Sequence, residues 1–132
     1  MILIDSCVLL DVITEDPNWY RWSAKALADA AVDSELVINQ IIFAEVSTKF
    51  ATIDDFAEMF PTDEFRRAAL PYSAAFLAGK AHFEYRRRGG VRAATLPDFF
   101  VGAHAAVAGY QILTRDPRRF RQYFPTVDLI AP

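Results

Sequence analysis

Residues 1–11 read Met-Ile-Leu-Ile-Asp-Ser-Cys-Val-Leu-Leu-Asp. The run at 2–4 is short and apolar at every position, which is typical of a strand buried on both faces in a parallel sheet. The run stops at Asp5. In open α/β sheets, ligands bind outside the carboxyl ends of the strands. This stretch therefore predicts the fold class and supplies the first candidate site residue.

Similar short runs recur along the chain and alternate with segments of helical periodicity. Strands are expected at residues 36–38, 111–114 and 128–130, and 63–69 is expected to be a turn or a strand-like connector. Helices are expected at residues 9–13, 19–32 (with Asn18 as N-cap), 41–50, 54–60, 72–88, 96–107 and 117–123. This alternation predicts an α/β fold, a three-layer α/β/α sandwich with a mainly parallel central sheet. The length predicts a single domain over residues 1–132.

Composition excludes several classes of protein. Hydrophobic residues make up 53% of the chain, which argues against disorder. No apolar run reaches the roughly 18 residues that span a bilayer. The opening residues lack the basic segment of a signal peptide, so we expect a cytoplasmic protein with no membrane partner. Cys7 is the single cysteine, and we expect a small apolar side chain rather than a nucleophile.

Arginine is concentrated in two places, although the net charge is −3. The two clusters are Arg86, Arg87, Arg88 and Arg92, and Arg115, Arg118, Arg119 and Arg121. An acidic chain with local arginine clusters is compatible with an enzyme that holds cations on carboxylates and contacts phosphates nearby. The alternative is that each cluster is a solvated helix end.

Four carboxylates fall where a parallel sheet gathers its ligand-binding edge. Asp5 and Asp116 follow strands, Asp98 begins a buried helix, and Glu45 lies one turn into a helix. Clustered carboxylates repel one another and normally require a cation, and oxygen ligands favour Mg²⁺ or Mn²⁺. Taken singly, these acids could instead form a turn, an exposed helix position, a helix start and an N-cap. The prediction of a metal site depends on all four acids lying at the same edge of the predicted sheet.

Four segments carry a resemblance to a known family. They are the opening residues through Val12, Ile-Ile-Phe-Ala-Glu-Val-Ser around Glu45, Leu-Pro-Asp-Phe-Phe-Val-Gly-Ala-His-Ala around Asp98, and Ile-Leu-Thr-Arg-Asp-Pro-Arg-Arg-Phe around Asp116. In this order the chain resembles PIN-domain proteins, and among them the VapC-like toxins of type II toxin–antitoxin pairs. One departure is Gly102, where relatives often carry alanine, and we expect little effect from it.

The resemblance implies a Mg²⁺- or Mn²⁺-dependent endoribonuclease with a PIN-like fold. It implies that Asp5, Glu45, Asp98 and Asp116 are catalytic and hold the metal, directly or through water. Ser6 and Thr114 would hold carboxylates or water in the substrate-binding part of the site, where Arg115 is the best candidate for a phosphate contact. Strand-end capping is the alternative for these two hydroxyls. The implied partners are RNA, a cognate antitoxin and a second copy in a homodimer.

Other residues and functions are weighed against this reading. His82 and His104 are expected to be structural, and Asp11 is expected at the surface. Trp19, Tyr20 and Trp22 form either a partner surface or, by default, a half-buried stripe. Two alternatives to a nuclease remain: a catalytically inactive PIN-like binding module, and a phosphoryl-transfer protein that uses Asp5 as nucleophile. The latter usually needs a second acid where this chain has Cys7.

Overall fold

The computed structural model describes residues 1–90 and 96–132, which form five strands and seven helices. Arg92 of the first arginine cluster lies outside these residues. The strands are β1 (Ile2–Ile4), β2 (Leu36–Ile38), β3 (Phe65–Arg67), β4 (Gln111–Leu113) and β5 (Leu129–Ile130). The helices are α1 (Ser6–Ile13), α2 (Tyr20–Asp33), α3 (Gln40–Ser47), α4 (Ile53–Met59), α5 (Tyr72–Arg87), α6 (Leu96–Ala108) and α7 (Arg118–Tyr123).

The strands form one parallel sheet in the order β3-β2-β1-β4-β5. Ile2 lies opposite Leu36 on one side and Gln111 on the other. Every residue of β1 and β2 is buried. Since successive side chains of a strand point to opposite faces, both faces of the sheet must be covered. The predicted α/β/α sandwich with a parallel sheet is confirmed.

All five strands are parallel, but the order in which the chain adds them to the sheet reverses once. The chain moves outward from β1 through β2 to β3, and then returns to place β4 and β5 on the other side of β1. In open α/β sheets such a reversal leaves a crevice at the carboxyl ends of the two central strands, where ligands bind. Asp5 follows β1 and Thr114 follows β4, so both residues lie at this crevice.

Gly102 of helix α6 lies against the ring of Phe124, contrary to the expectation that this glycine matters little. A Cβ atom built at Gly102 would lie 2.2 Å from Cδ2 of Phe124. Real Cβ contacts are not this short, so the ring of Phe124 occupies the space that an alanine would need. Gly102 is therefore required for the observed packing of α6, the helix that carries Asp98.

One local expectation is confirmed and one is corrected. The strand-like alternative for 63–69 is right, because β3 lies in this segment and pairs with β2. Asn18 does not cap α2: the N-cap residue is Trp19, whose side chain makes no capping bond, and the amides of Asn18 and Trp19 donate to the carboxylate of Asp16, each at 2.9 Å. In the described part of the chain, no helix is long and apolar enough to cross a membrane.

Candidate metal centre

Asp5 is placed by the pairing of the two central strands. Its amide donates to the carbonyl of Leu113 at 2.9 Å. Its Oδ2 accepts a hydrogen bond from Oγ1 of Thr114 at 2.8 Å and lies 3.4 Å from Sγ of Cys7. Although Asp5 is the N-cap residue of α1, its side chain makes no capping bond to the described helix amides. The carboxylate is therefore directed to the crevice rather than used in a turn.

Glu45 reaches the same edge from α3. Its Oε1 accepts a hydrogen bond from Oγ of Ser6 at 3.1 Å. The start of α3 is fixed by buried Asn39, whose Oδ1 accepts the amide hydrogens of Ile41 and Ile42, each at 3.0 Å. Nδ2 of Asn39 lies 3.0 Å from Nδ1 of His104, and burial lowers the pKa of this histidine. A neutral His104 can accept from Asn39, so its role is structural, as expected.

Asp98 lies in the first turn of α6, where the helix dipole favours a carboxylate. Its side chain is 39% exposed, and its Oδ2 lies 4.0 Å from Nη1 of Arg119. The guanidinium of Arg119 also lies over the ring of Tyr85, 5.6 Å from its centroid. An arginine of α7 is thus held beside Asp98 by a carboxylate and an aromatic face.

Asp116 is attached to the site through its backbone. Its amide donates to Oγ1 of Thr114 at 3.0 Å. Its side chain is 59% exposed and lies 3.9 Å from Nε of Arg118. Within the described residues this carboxylate does not cap α7, which follows Pro117 and has no side-chain cap. The side chain of Asp116 is thus more exposed than that of Asp98.

The acids influence one another electrostatically. Burial raises the pKa of Asp5, the charge of Asp98 raises it further, and the hydrogen bonds from Thr114 and Cys7 oppose this shift. Burial, then the charges of Asp5 and Asp98, raise the pKa of Glu45, and the bond from Ser6 opposes it. Three of the four predicted acids therefore form one electrostatic cluster.

Cys7 takes part as a neutral thiol. Burial and the neighbouring charge of Asp5 raise its pKa to about 12. A thiol with this pKa is protonated near pH 7 and can donate to Asp5, and it is a poor nucleophile. This agrees with the expectation that Cys7 is not a catalytic nucleophile.

The donor set fits a hard divalent cation in its chemistry. All candidate ligands are carboxylate oxygens, and burial, followed by the charge of neighbouring carboxylates, raises the pKa of Asp5 and of Glu45. Among residues 1–90 and 96–132, no three side chains of histidine, cysteine, aspartate or glutamate lie close enough to hold an ion directly. Mg²⁺ commonly keeps several water ligands and is held by one or two carboxylates.

Asp11 and Arg115 depart from their predicted environments. Asp11 is 2% exposed rather than at the surface, and its Oδ2 accepts from Oγ of Ser23 and Nε of Arg115, each at 2.8 Å. The guanidinium of Arg115 lies 5.4 Å from the centroid of a Trp19 ring. Arg115 is thus held by protein groups, and its contact with phosphate stays a prediction. The sequence signal that was available for Asp11 was its place on the apolar first helix.

Of the three aromatic residues near α2, the two tryptophans are half-buried as expected, and Tyr20 is exposed. Trp19 and Trp22 are half-buried and pack edge to face, with ring centroids 6.1 Å apart. Tyr20 is 37% exposed.

Three comparisons relate this arrangement to known proteins. The PIN domain family matches residues 2–124. VapBC2 from Rickettsia felis, solved with a promoter DNA fragment, is similar over 100% of this chain and 99% of that one, at 17% identity and a TM-score of 0.74. VapBC-1 from nontypeable Haemophilus influenzae is similar over 99% and 98%, at 15% identity and a TM-score of 0.72. A toxin–antitoxin complex from Klebsiella pneumoniae is similar over 91% and 90%, at 20% identity and a TM-score of 0.66.

No curated protein matches the sequence. At these identities the solved structures establish the fold. The family match covers nearly the whole chain and includes all four acids, and the chain therefore belongs to the PIN domain family.

Proposed function

We propose that this protein is a Mg²⁺- or Mn²⁺-dependent endoribonuclease, built as a single PIN domain over residues 1–132. The observation that carries the proposal is the electrostatic cluster of Asp5, Glu45 and Asp98 beside the reversal in strand order. Membership of the PIN domain family supports it. Asp116 is proposed as the fourth ligand, acting through water because its carboxylate is open to solvent.

A divalent ion bound by these acids would polarise the phosphodiester, lower the pKa of a water nucleophile and stabilise the leaving oxygen. The residues of the chain prepare for this chemistry. Thr114 and Cys7 hold the Oδ2 atom of Asp5, and Ser6 holds Glu45. These donors restrict the carboxylate rotamers, so less reorganisation is needed when the ion binds.

The arginines of α7 are proposed to contact the RNA. Arg118 and Arg119 lie within 4.0 Å of Asp116 and Asp98. A phosphate carried to the metal would therefore lie near two guanidinium groups. Arginine suits this task because its planar fork matches two phosphate oxygens. An acidic chain can thus bind a polyanion through local positive charge at the site.

We further propose that the nuclease is the toxin of a toxin–antitoxin pair and forms a homodimer. Similarity to toxin–antitoxin complexes over nearly the whole chain supports an antitoxin partner. A row of exposed aromatic side chains on α5 supports a protein interface: Tyr72 is 95% exposed, Phe76 69% and Phe83 67%. Contiguous exposed apolar surface of this kind commonly marks an interaction site.

The test is cleavage of labelled RNA by purified protein with Mg²⁺ or Mn²⁺, with chelator as a blank. Asp98→Asn is expected to abolish cleavage and growth inhibition while the fold survives, and Asp63→Asn, an exposed acid outside the site, is expected to leave both unchanged. Undiminished cleavage by Asp98→Asn would exclude the proposed site. Mn²⁺ titration by calorimetry separates an active nuclease from an inactive binding module, because the latter shows no binding that depends on Asp5.

A further inference from the structure

Asp11 is a buried acid that lies outside the proposed ligand set. It belongs to α1, and its Oδ2 accepts hydrogen bonds from Ser23 of α2 and from Arg115 of the loop after β4. A buried carboxylate is costly unless its charge is matched and its oxygens are hydrogen-bonded. Arg115 supplies the charge and both partners supply hydrogens. Asp11 thus joins two helices to a loop at the edge of the site.

Arg115 stands between two residues of the site. On one side, Thr114 donates to Asp5 through its hydroxyl. The same hydroxyl accepts the amide hydrogen of Asp116 on the other side. Nε of Arg115 lies 2.8 Å from Oδ2 of Asp11, and this contact restrains the residue between Thr114 and Asp116.

A second contact restrains the same guanidinium. It lies over a Trp19 ring, and the amide of Trp19 is held by the carboxylate of Asp16. Stacking on an aromatic face and a carboxylate contact together leave Arg115 little rotational freedom. The ion pair is therefore a rigid support for the loop rather than a surface pair.

We propose that Asp11 is a positioning residue: through Arg115 it holds residues 114–116 so that Thr114 meets Asp5 and Asp116 faces the metal. This inference rests on the proposed nuclease function. It gives Arg115 a role that its sequence position does not reveal, since orienting the loop replaces direct phosphate contact as its main task. The buried charge on Asp11 matters because it selects one position of the guanidinium.

The test compares the wild type with Asp11→Asn, which keeps the size of the side chain and removes its charge. The first measurement is hydrogen exchange of the Asp116 amide by NMR, which needs no metal and no activity. We expect faster exchange in the variant. The second measurement is the Mn²⁺ concentration that half-saturates cleavage of a mixed-sequence single-stranded RNA. We expect it to rise about 10- to 100-fold, as for other partners that orient metal ligands, with an unchanged KM for RNA.

Two further variants keep the inference falsifiable. Phe56→Leu lowers stability in the aromatic cluster away from this network, and is expected to change neither the Asp116 exchange nor the Mn²⁺ dependence. Arg115→Lys keeps the charge opposite Asp11 and is expected to fall between the wild type and Arg115→Gln. This pair decides the question if Asp11→Asn does not fold.

The inference is overturned if Asp11→Asn, or in its place Arg115→Gln, behaves as Phe56→Leu does, with lower stability but wild-type exchange and Mn²⁺ dependence. A separate outcome concerns the proposed function. If the wild type neither binds Mn²⁺ nor cleaves RNA, the nuclease proposal fails, and the Asp116 exchange alone then decides whether Asp11 positions the loop.

Discussion

Asp5 and Asp116 share one hydroxyl, that of Thr114, and yet lie in opposite environments. Asp5 is enclosed between β1 and β4, accepts the Thr114 hydrogen, and has a pKa raised by burial. Asp116 receives only a backbone contact from the same hydroxyl, and its carboxylate stands in solvent near Arg118. The comparison shows that one edge of the sheet holds acids in unequal environments. We expect Asp5, at the enclosed end of the site, to bind the ion directly and Asp116, at the open end, to act on it through water.

Replacing the two acids in turn gives the largest expected effect. Asp5→Asn removes the proposed enclosed ligand, and losing several kcal/mol of metal stabilisation corresponds to roughly a 10³-fold loss of cleavage. Asp116→Asn removes the acid proposed to act through water, and we expect a loss of about 10- to 100-fold. Single-turnover cleavage at saturating RNA measures both. Equal losses in the two variants would show that the ends of the site do not differ.

The shared hydroxyl is tested next. Thr114 is fully buried, so Thr114→Val keeps its shape but removes the hydroxyl donor to Asp5 and leaves the Asp116 amide without this acceptor. An unsatisfied buried group costs about 1–3 kcal/mol in unfolding free energy, measured by urea denaturation. Thr114→Ser keeps the hydroxyl and is the control, with activity close to the wild type. If Thr114→Val and Thr114→Ser have the same unfolding free energy and activity, the hydroxyl does not link Asp5 to Asp116.

The candidate site also depends on how α6, the helix that carries Asp98, packs. Gly102→Ala places a methyl group against Phe124, and overpacking of this kind costs about 1–3 kcal/mol in unfolding free energy. Gly79→Ala is the matched control, because a Cβ there meets nothing within 4 Å and Gly79 lies inside α5. An alanine in a helix interior is favoured over glycine by about 0.5–1 kcal/mol. The Tm should therefore fall in Gly102→Ala and rise in Gly79→Ala. A higher Tm in Gly102→Ala would contradict the packing of Gly102 against Phe124.

The smallest effect is a change of stability with pH in the metal-free protein. The pKa of Asp5 is raised in the folded state, so the folded protein binds its proton more tightly than the unfolded chain does. Its contribution to stability is therefore greatest at low pH and is lost as the pH rises from about 4 through the raised pKa. Asp5→Asn removes this loss, so its Tm relative to the wild type should increase with pH by a few degrees.

The control for this measurement is Asp116→Asn, whose carboxylate is exposed. Its Tm difference from the wild type should not follow the trend of Asp5→Asn. Saturating Mn²⁺ should also reverse the order of the wild type and Asp5→Asn, because the ion stabilises only the protein that binds it. A Tm difference between Asp5→Asn and the wild type that stays constant across pH would indicate that burial does not raise the pKa of Asp5.

The sequence predicted the central strands and the acids that follow them well, since apolar runs and strand ends are local signals. Strand β3 was only partly predicted because its sequence, Phe-Arg-Arg, is charged, as suits the edge of a sheet. The N-cap of α2 was misplaced because the helix begins one residue later than expected, at Tyr20, and has no side-chain capping bond.

Other features depend on contacts that no local pattern contains. Asp11 is buried because Arg115, 104 positions later in the chain, neutralises it. Gly102 matters because the Phe124 ring fills the space beside it. The separation of the site into enclosed and open ends likewise follows from the three-dimensional placement of Thr114, which serves both acids.

The central place of β1 has a consequence for synthesis of the protein. β1 precedes the other four described strands in the chain, but it pairs with β2 and with β4, and Thr114 and Asp116 follow β4. Contacts so distant in sequence form only when the later segment is present. The ribosome must therefore translate beyond Asp116 before the crevice can close around Asp5. For the proposed nuclease, this order of synthesis means that the candidate site is incomplete while most of residues 1–116 are being made.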